Sequence, residues 1–101
     1  MNPGRELDAL VAEKVMGIGP RGLAFPKKYS TDIAAAWEAV ETLTSPKSRH
    51  RFSCTTLHCD CNSGLWSFGD IDRDGTVWPR QDAHTAPHAI CLAALRVVGA
   101  I

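Results

Sequence analysis

The chain has 101 residues, of which 45 % are hydrophobic and 22 % are charged, as expected for one globular domain spanning residues 1–101. Its 11 basic and 11 acidic residues cancel, which argues against nucleic-acid binding and electrostatic membrane attachment, because both depend on clustered positive charge. No apolar run reaches the roughly 18 residues of a membrane span, and the N-terminal residues lack the apolar segment of a signal peptide, so we expect a soluble cytoplasmic protein.

An amphipathic first helix is predicted over residues 5–16. Its apolar stripe and the charged side expected to face water follow a helical period. The stripe consists of Leu7, Leu10, Val11 and Val15, and the water-facing side of Glu6, Asp8, Glu13 and Lys14. Gly17 is suited to end this helix. Residues 17–29 then contain three glycines and two prolines, and so long a connection in a small domain is a candidate binding loop.

A second helix follows, for which Ser30 or Thr31 supplies the N-terminal cap and Asp32 complements the helix dipole. Its predicted apolar face recurs at helical spacing. That face consists of Ile33, Ala36, Trp37, Val40 and Leu43 or Thr44. The pair Ser45-Pro46 closes the helix, because proline cannot continue it.

From His50 the pattern changes to alternation, which is typical of β-strands. The first strand is predicted up to Thr56, and residues 57–63 form a turn-rich connection. A second strand runs over residues 65–70. The Asp-Gly pair at 74–75 then forms a tight turn before a short third strand, residues 76–79. Proline has no N–H to donate, so this strand is an edge or ends at its proline.

The last predicted element, TAPHAICLAALRVVG over residues 85–99, is the longest apolar run. Thr85 can cap a helix, Pro87 suits its first turn, and Gly99 can end it. A helix that is apolar nearly all round is buried, so we expect it to form the centre of the molecule. The predicted fold is α+β, with three helices packed on a small antiparallel sheet in the order α-α-β-β-β-α.

Three segments of the chain, LDALVAEKVMG, YSTDIAAAWEAVETL and TAPHAICLAALRVVG, with an aromatic hairpin before the last, resemble the phage ABA-sandwich domain family. The members are small, mostly uncharacterised proteins of tailed phages and prophages. The resemblance implies an ABA-type sandwich and a viral accessory role in the host cytoplasm, and it brings no reaction or catalytic residues. Residues 50–63 depart from the family's pattern through a cluster of cysteines.

That cluster places five candidate ligands for a soft metal within twelve residues, namely His50, Cys54, His58, Cys59 and Cys61. Zinc is held by four thiolates or imidazoles. However, one residue separates Cys59 from Cys61, where zinc knuckles have two. A strand followed by a loop with reduced cysteines explains the same residues. Zinc therefore remains an alternative, and Cys91, inside the last helix, is expected to be a small buried hydrophobic residue. Disulfides are not expected in a cytosolic chain.

Two further motifs have simpler explanations. Residues 70–75, DIDRDG, match the first half of a calcium-binding loop, but Gln81 stands where that loop needs glutamate, and a strand precedes it. An Asp-Gly hairpin turn explains these residues. A Cys–His pair can be drawn from Cys54 and any of four histidines, but no motif for a nucleophile, an oxyanion hole or a phosphate loop accompanies it. We therefore expect a protein that is not an enzyme.

The remaining candidate is the loop that enters the second helix. Its cations precede backbone N–H groups that open a helix, an arrangement that binds anions, and nearby aromatic rings could stack on a base. The candidate ligand-binding residues are Arg21, Lys27, Lys28, Tyr29, Ser30, Thr31, Trp66 and Trp78. Capping hydroxyls, solvated lysines and packed tryptophans are the competing explanation for each residue.

The leading functional hypothesis is a non-enzymatic phage or prophage accessory protein that binds a small anionic, nucleotide-like ligand. It rests on analogy with small phage proteins that sequester nucleotide immune signals. A domain this small encloses a ligand more easily between subunits, so we expect a homo-oligomer. The first alternative is a protein-interaction module that inhibits a host protein through an aromatic patch of Trp66, Phe68 and Trp78. The second is a zinc-stabilised structural protein.

Overall fold

A computed structural model describes residues 2–18, 27–44, 55–71 and 77–101. Its elements in chain order are α1 (Arg5–Lys14), α2 (Ile33–Thr44), β1 (Thr55–Cys59), β2 (Trp66–Ile71), β3 (Val77–Ala83) and α3 (Ala86–Val97). This order confirms the predicted α-α-β-β-β-α arrangement and the α+β class. The predicted binding loop falls largely on residues 19–26, which lie outside the described residues.

Local signals at both ends of α3 act as the sequence predicts. Thr85 is the N-cap, and its hydroxyl accepts a hydrogen bond from the His88 N–H at 3.4 Å. At the other end Gly99 has a φ of 78°, a left-handed conformation that favours glycine. The N–H groups of Gly99 and Ala100 donate to the carbonyls of Arg96 (3.1 Å) and Leu95 (2.8 Å), which satisfies two carbonyls at the helix end.

The helix α3 lies at the centre of the structure and contacts α1, α2, β2 and β3. Its buried residues cover most of its circumference. They are Pro87, Ala89, Ile90, Cys91, Ala93, Ala94 and Leu95. The prediction of a central, buried last helix is therefore confirmed, as is the prediction that Cys91 is fully buried.

The first helix is shorter than predicted and buries one residue that was expected to face water. It ends at Lys14, and Gly17 follows in the left-handed region with a φ of 69°. The Asp8 side chain is 6 % exposed, so the prediction that it faces water is wrong. A helical wheel does not reveal this burial, because the partner that stabilises Asp8 comes from a distant part of the sequence.

The buried face of the second helix agrees only in part with the predicted one, because Ala36, Val40 and Leu43 are buried as predicted but two other predicted residues are not. Its buried residues are Ala35, Ala36, Ala39, Val40 and Leu43. Ile33 and Trp37 are instead 47 % and 41 % exposed, so their prediction as core residues is wrong. Three of the five buried residues of α2 are alanines, and small side chains let α2 approach α3, which it contacts, closely. The larger side chains of Ile33 and Trp37 lie outside this contact.

The N-terminal cap of α2 also differs from the prediction. The Asp32 carboxylate accepts a hydrogen bond from the Ala34 N–H at 3.0 Å, and its carbonyl accepts one from Ala36 at 2.9 Å. Asp32 is therefore the cap, rather than Ser30 or Thr31. Aspartate is as good a capping residue as serine, and the Ser30 hydroxyl is occupied elsewhere.

The three strands form an antiparallel sheet in the order β1-β2-β3. Leu57, Phe68 and Gln81 lie opposite one another across it. Two strand boundaries were predicted wrongly, because β1 includes residues 57–59, which were assigned to the connection, and β3 continues to residue 83. Residues 50–54 of the predicted first strand lie outside the described residues.

Pro79 is accommodated by an irregularity in the pairing of β2 and β3. Phe68 pairs with Gln81, and Asp70 with Trp78, so one residue of β2 lies opposite two residues of β3. This is a β-bulge, a position at which proline is tolerated because the ladder is already interrupted. The prediction that Pro79 lies in an edge strand is confirmed by the strand order.

Candidate functional site

The predicted anion site lies in the segment that leads into α2, where Lys27 and Lys28 are both exposed. The Lys27 ammonium lies 2.8 and 3.0 Å from the two carboxylate oxygens of Glu38. This hydrogen bonding, together with the negative charge of Glu38, raises the pKa of Lys27. The positive charge of Lys27 is therefore already neutralised by Glu38 of the same chain.

The backbone N–H groups of this segment are also used internally. Those of Tyr29 and Thr31 donate to the carbonyls of Lys27 (2.9 Å) and Lys28 (3.2 Å). That of Ser30 donates to the Asp8 carboxylate at 2.8 Å. The chain's own carboxylate thus occupies the place where the sequence predicted a bound anion.

The Ser30 side chain completes the same link. Its hydroxyl donates to Asp8 at 2.6 Å and accepts from the Gly4 N–H at 2.9 Å. Both Ser30 and Asp8 are buried, and hydrogen bonds to a buried carboxylate are among the strong ones. Ser30 therefore joins the start of α1 to the segment before α2 and is not available to an external ligand.

The aromatic residues predicted to stack on a base are not gathered at this segment. Tyr29 is 1 % exposed, and its burial raises the pKa of its phenol. Trp66 is half-buried and packs against the core. The Arg21 residue and the Trp78 side chain lie outside what the structure describes. Of the eight predicted residues, those described as exposed are Lys27, Lys28 and Thr31.

The cysteine-rich segment forms the end of β1 and a tight turn. His58, Cys59 and Cys61 are exposed, and His58 and Cys59 are consecutive strand residues, which point to opposite faces of a sheet. Within residues 2–18, 27–44, 55–71 and 77–101, no group of three or more possible ligands comes together. His50 and Cys54 lie outside those ranges, so the zinc site stays a prediction.

Asp60 organises this turn. Its carboxylate accepts a hydrogen bond from the Asn62 N–H at 2.9 Å, and this bond lowers the pKa of Asp60. Its carbonyl accepts from Gly64 at 2.7 Å, and Gly64 has a φ of 73°. The turn of the β1–β2 hairpin is therefore held by its own hydrogen bonds, and these explain the local structure between Cys59 and Cys61.

The solvent face of the sheet carries a polar row that the sequence did not reveal. His58, Ser67 and Asp82 are neighbours across the three strands, and the Ser67 hydroxyl donates to the Asp82 carboxylate at 2.6 Å. In a catalytic triad histidine lies between serine and the carboxylate, whereas here serine takes the middle position. The row therefore differs from a catalytic triad in the order of its residues.

Among the residues whose exposure the structure describes, the most exposed large apolar side chains lie on α2. Ile33 and Trp37 are one helical turn apart on the same side of the helix. Among the described residues, the other exposed large apolar side chain is that of Ile101. Phe68 was predicted to belong to an exposed aromatic patch. It is completely buried, so its assignment to that patch is wrong. We call Ile33 and Trp37 the α2 stripe.

The described helices are all too short to span a membrane.

The model of the Phage ABA sandwich domain family matches residues 9–95. The chain is also similar to a phage protein from Bacillus cereus ATCC 14579, seen in a crystal structure, at 25 % identity and a TM-score of 0.65. That match covers 97 % of this chain and 88 % of the other. No curated protein matches the chain.

Proposed function

The chain belongs to the Phage ABA sandwich domain family, and from this premise we propose that it is a non-enzymatic phage accessory protein that binds a protein partner through α2. The observation that carries the proposal is the exposure of the α2 stripe. Ile33 and Trp37 expose 47 % and 41 % of their surface, although both are large apolar residues of an otherwise well-packed helix. We place this activity in the host cytoplasm.

The chemistry of the α2 stripe suits protein recognition. Tryptophan is enriched among the residues that dominate binding energy at protein interfaces. Trp37 stands on a helix whose opposite face packs on α3, so the ring is presented by a rigid element and loses little entropy on binding. Exposed charges at Lys28 and Glu41 supply the polar rim that such interfaces have. This surface replaces the predicted patch of Trp66, Phe68 and Trp78.

A small anionic, nucleotide-like ligand is the second candidate function. It is supported by the exposure of Lys28 and Thr31 close together before α2 and by the lack of an ion pair between Lys28 and any described residue. It has less support than protein binding because the N–H and hydroxyl of Ser30 already donate to Asp8, and the N–H groups of Tyr29 and Thr31 donate to backbone carbonyls. Such a ligand would depend on Lys28 rather than on the helix N-terminus.

The test compares the tagged full-length protein with its Trp37→Ala variant, both produced in host cells. We expect one host protein to be retained stoichiometrically by the natural chain and at least ~10-fold less by the variant, because a central tryptophan contributes about 2 kcal/mol or more to binding. The control is Trp66→Phe, which alters a half-buried tryptophan on the sheet. Equal retention by Trp37→Ala contradicts the proposal.

The same proteins distinguish the second candidate. Thermal stabilisation by a cyclic nucleotide or an ADP-ribose-type compound that Lys28→Glu abolishes, and Trp37→Ala leaves intact, supports a nucleotide-binding function. Protein binding through the α2 stripe predicts instead that these compounds give no thermal stabilisation and that Trp37→Ala reduces retention of the host protein.

A further inference from the structure

We propose that, in the free protein, the α2 stripe is covered by α2 of a second copy of this chain, which runs in the antiparallel direction. The inference concerns the surface of the proposed function but goes beyond it, because it assigns that surface to a second copy when no host protein is bound. What identifies this partner is the distribution of charge along α2.

Two charges flank the α2 stripe without a partner in the described chain. Lys28 lies before the start of α2 and Glu41 lies in its last turn, and both are exposed. Neither forms an ion pair with another described residue, whereas Lys27 pairs with Glu38 at 2.8 Å. The last turn of α2 contains no basic residue, so the negative charge of Glu41 adds to the partial negative charge of the helix end. No described residue pairs with Glu41, and a cation from a second copy would relieve this repulsion.

An antiparallel second copy supplies that cation by symmetry. If the two-fold axis passes midway between Ile33 and Trp37, each isoleucine faces the partner's Trp37. Lys28 and Glu41 lie at about the same distance in sequence from this midpoint, on opposite sides. Each lysine therefore approaches the partner's Glu41, and the contact is repeated twice because a two-fold interface is isologous. A parallel arrangement would instead bring like charges together.

The contact involves one exposed helix face from each copy. The opposite face of α2 packs on α3, and Ile33 and Trp37 keep 47 % and 41 % of their surface exposed for this contact. An interface of this kind is smaller than the ~1,200 Å² of stable complexes. We therefore expect a dimer that dissociates on dilution in the micromolar range, and that a host protein binding the stripe would displace.

The test is sedimentation velocity of the full-length chain over a concentration series. We expect Trp37→Ala, Lys28→Glu and Glu41→Lys each to raise the dissociation constant about 10-fold or more, because each charge reversal removes two ion pairs and introduces repulsion. The double variant Lys28→Glu/Glu41→Lys exchanges the charges and is expected to restore dimerisation. Glu13→Lys, an exposed carboxylate on α1, is the matched control and leaves the constant unchanged.

A chain that stays monomeric up to about 1 mM, or a double variant that fails to regain association, overturns the proposal. All substituted side chains are exposed, so we expect every variant to fold. Circular dichroism checks this. The two proposals fail separately. If the chain forms dimers but retains no host protein, self-association is supported and the proposed function is contradicted. If the chain is monomeric but retains a host protein through Trp37, the proposed function is supported and self-association is contradicted.

Discussion

The Asp8 carboxylate accepts hydrogen bonds from both the N–H and the hydroxyl of Ser30, at 2.8 and 2.6 Å, across 22 positions of sequence. Ser30 in turn accepts a hydrogen bond from Gly4 at 2.9 Å. The link fixes the chain entering α2 against the first turn of α1. It also explains why this segment, which resembles an anion site in sequence, has its polar groups satisfied from within.

Replacing Asp8 by alanine is expected to lower the free energy of unfolding by about 2–4 kcal/mol, because the buried N–H and hydroxyl of Ser30 lose their acceptor. Urea unfolding measures the change. Glu6→Ala, at an exposed position of the same helix, is the control and should cost well under 1 kcal/mol. Equal effects of the two substitutions would show that the link contributes no special stability.

The cap of α2 gives a second prediction. Asp32→Ala should cost about 1 kcal/mol, because the Ala34 N–H loses its hydrogen bond to the carboxylate. Thr31→Ala should be within about 0.5 kcal/mol of the natural chain, since Thr31 is exposed. Thermal unfolding of the two variants side by side checks this order. A larger loss of stability for Thr31→Ala than for Asp32→Ala would show that Thr31, one of the two caps predicted from the sequence, is the cap.

Two large apolar residues are expected to respond in opposite ways to truncation. Phe68 is 0 % exposed, so Phe68→Ala should cost about 3–5 kcal/mol through loss of burial and the cavity it leaves. Trp37→Ala should change stability by less than about 1 kcal/mol, because much of the ring already contacts water. Denaturant midpoints of the two variants test the prediction, and a severe loss for Trp37→Ala would contradict the description of it as a surface residue.

Stability should fall in alkali because of Cys91. Burial, with a further effect from the charge of Asp8, raises the pKa of its thiol from 9.0 to about 12. The unfolded chain therefore releases this proton at lower pH than the native chain. The stabilising contribution is complete below pH 9.0 and is lost as the pH rises towards about 12, at up to ~1.4 kcal/mol per pH unit.

Cys91→Ala should remove that part of the pH dependence, whereas Cys59→Ala, at an exposed thiol, should keep it. Burial also raises the pKa of Tyr29 above its usual 10.0, so a loss of stability as the pH rises above 10.0 is expected to remain in both variants. Urea unfolding at a series of alkaline pH values measures the slopes. An unchanged slope in Cys91→Ala would contradict the assignment.

Chelation tests the zinc alternative. We expect the unfolding transition to be unaffected by a strong chelator, because His58 and Cys59 point to opposite faces of β1 and the turn at Asp60 is held by its own hydrogen bonds. Thermal unfolding with and without chelator, together with metal analysis, provides the measurement. One zinc per chain and a lower melting temperature in chelator would instead support a site that includes His50 and Cys54.

The elements that the sequence predicted well are those specified by local signals. Thr85, Pro87 and Gly99 define α3 through capping and backbone conformation, and neither depends on distant residues. The same holds for the order of elements and for the edge position of Pro79. Each of these features is encoded within a few neighbouring residues.

The errors arise where tertiary contacts decide between local alternatives. Ser30 or Thr31 was the predicted cap of α2, but Asp8 binds Ser30 and Asp32 takes the capping position. The predicted apolar face of α2 included Ile33 and Trp37, whereas the buried face contains Ala35 and Ala39 in their place. Pairing across strands likewise brings His58 to Ser67 and Asp82, and strand register cannot be read from one strand alone.

The central position of α3 has a consequence for how the chain folds. Helices α1 and α2 and strands β2 and β3 all contact α3, so each completes much of its packing only when the segment from Ala86 onward is in place. The contacts between α1 and α3 join regions far apart in sequence, and such topologies fold more slowly than helical bundles of the same size. A fragment that contains only the first two helices should therefore be unfolded, and the whole chain should unfold in one cooperative transition.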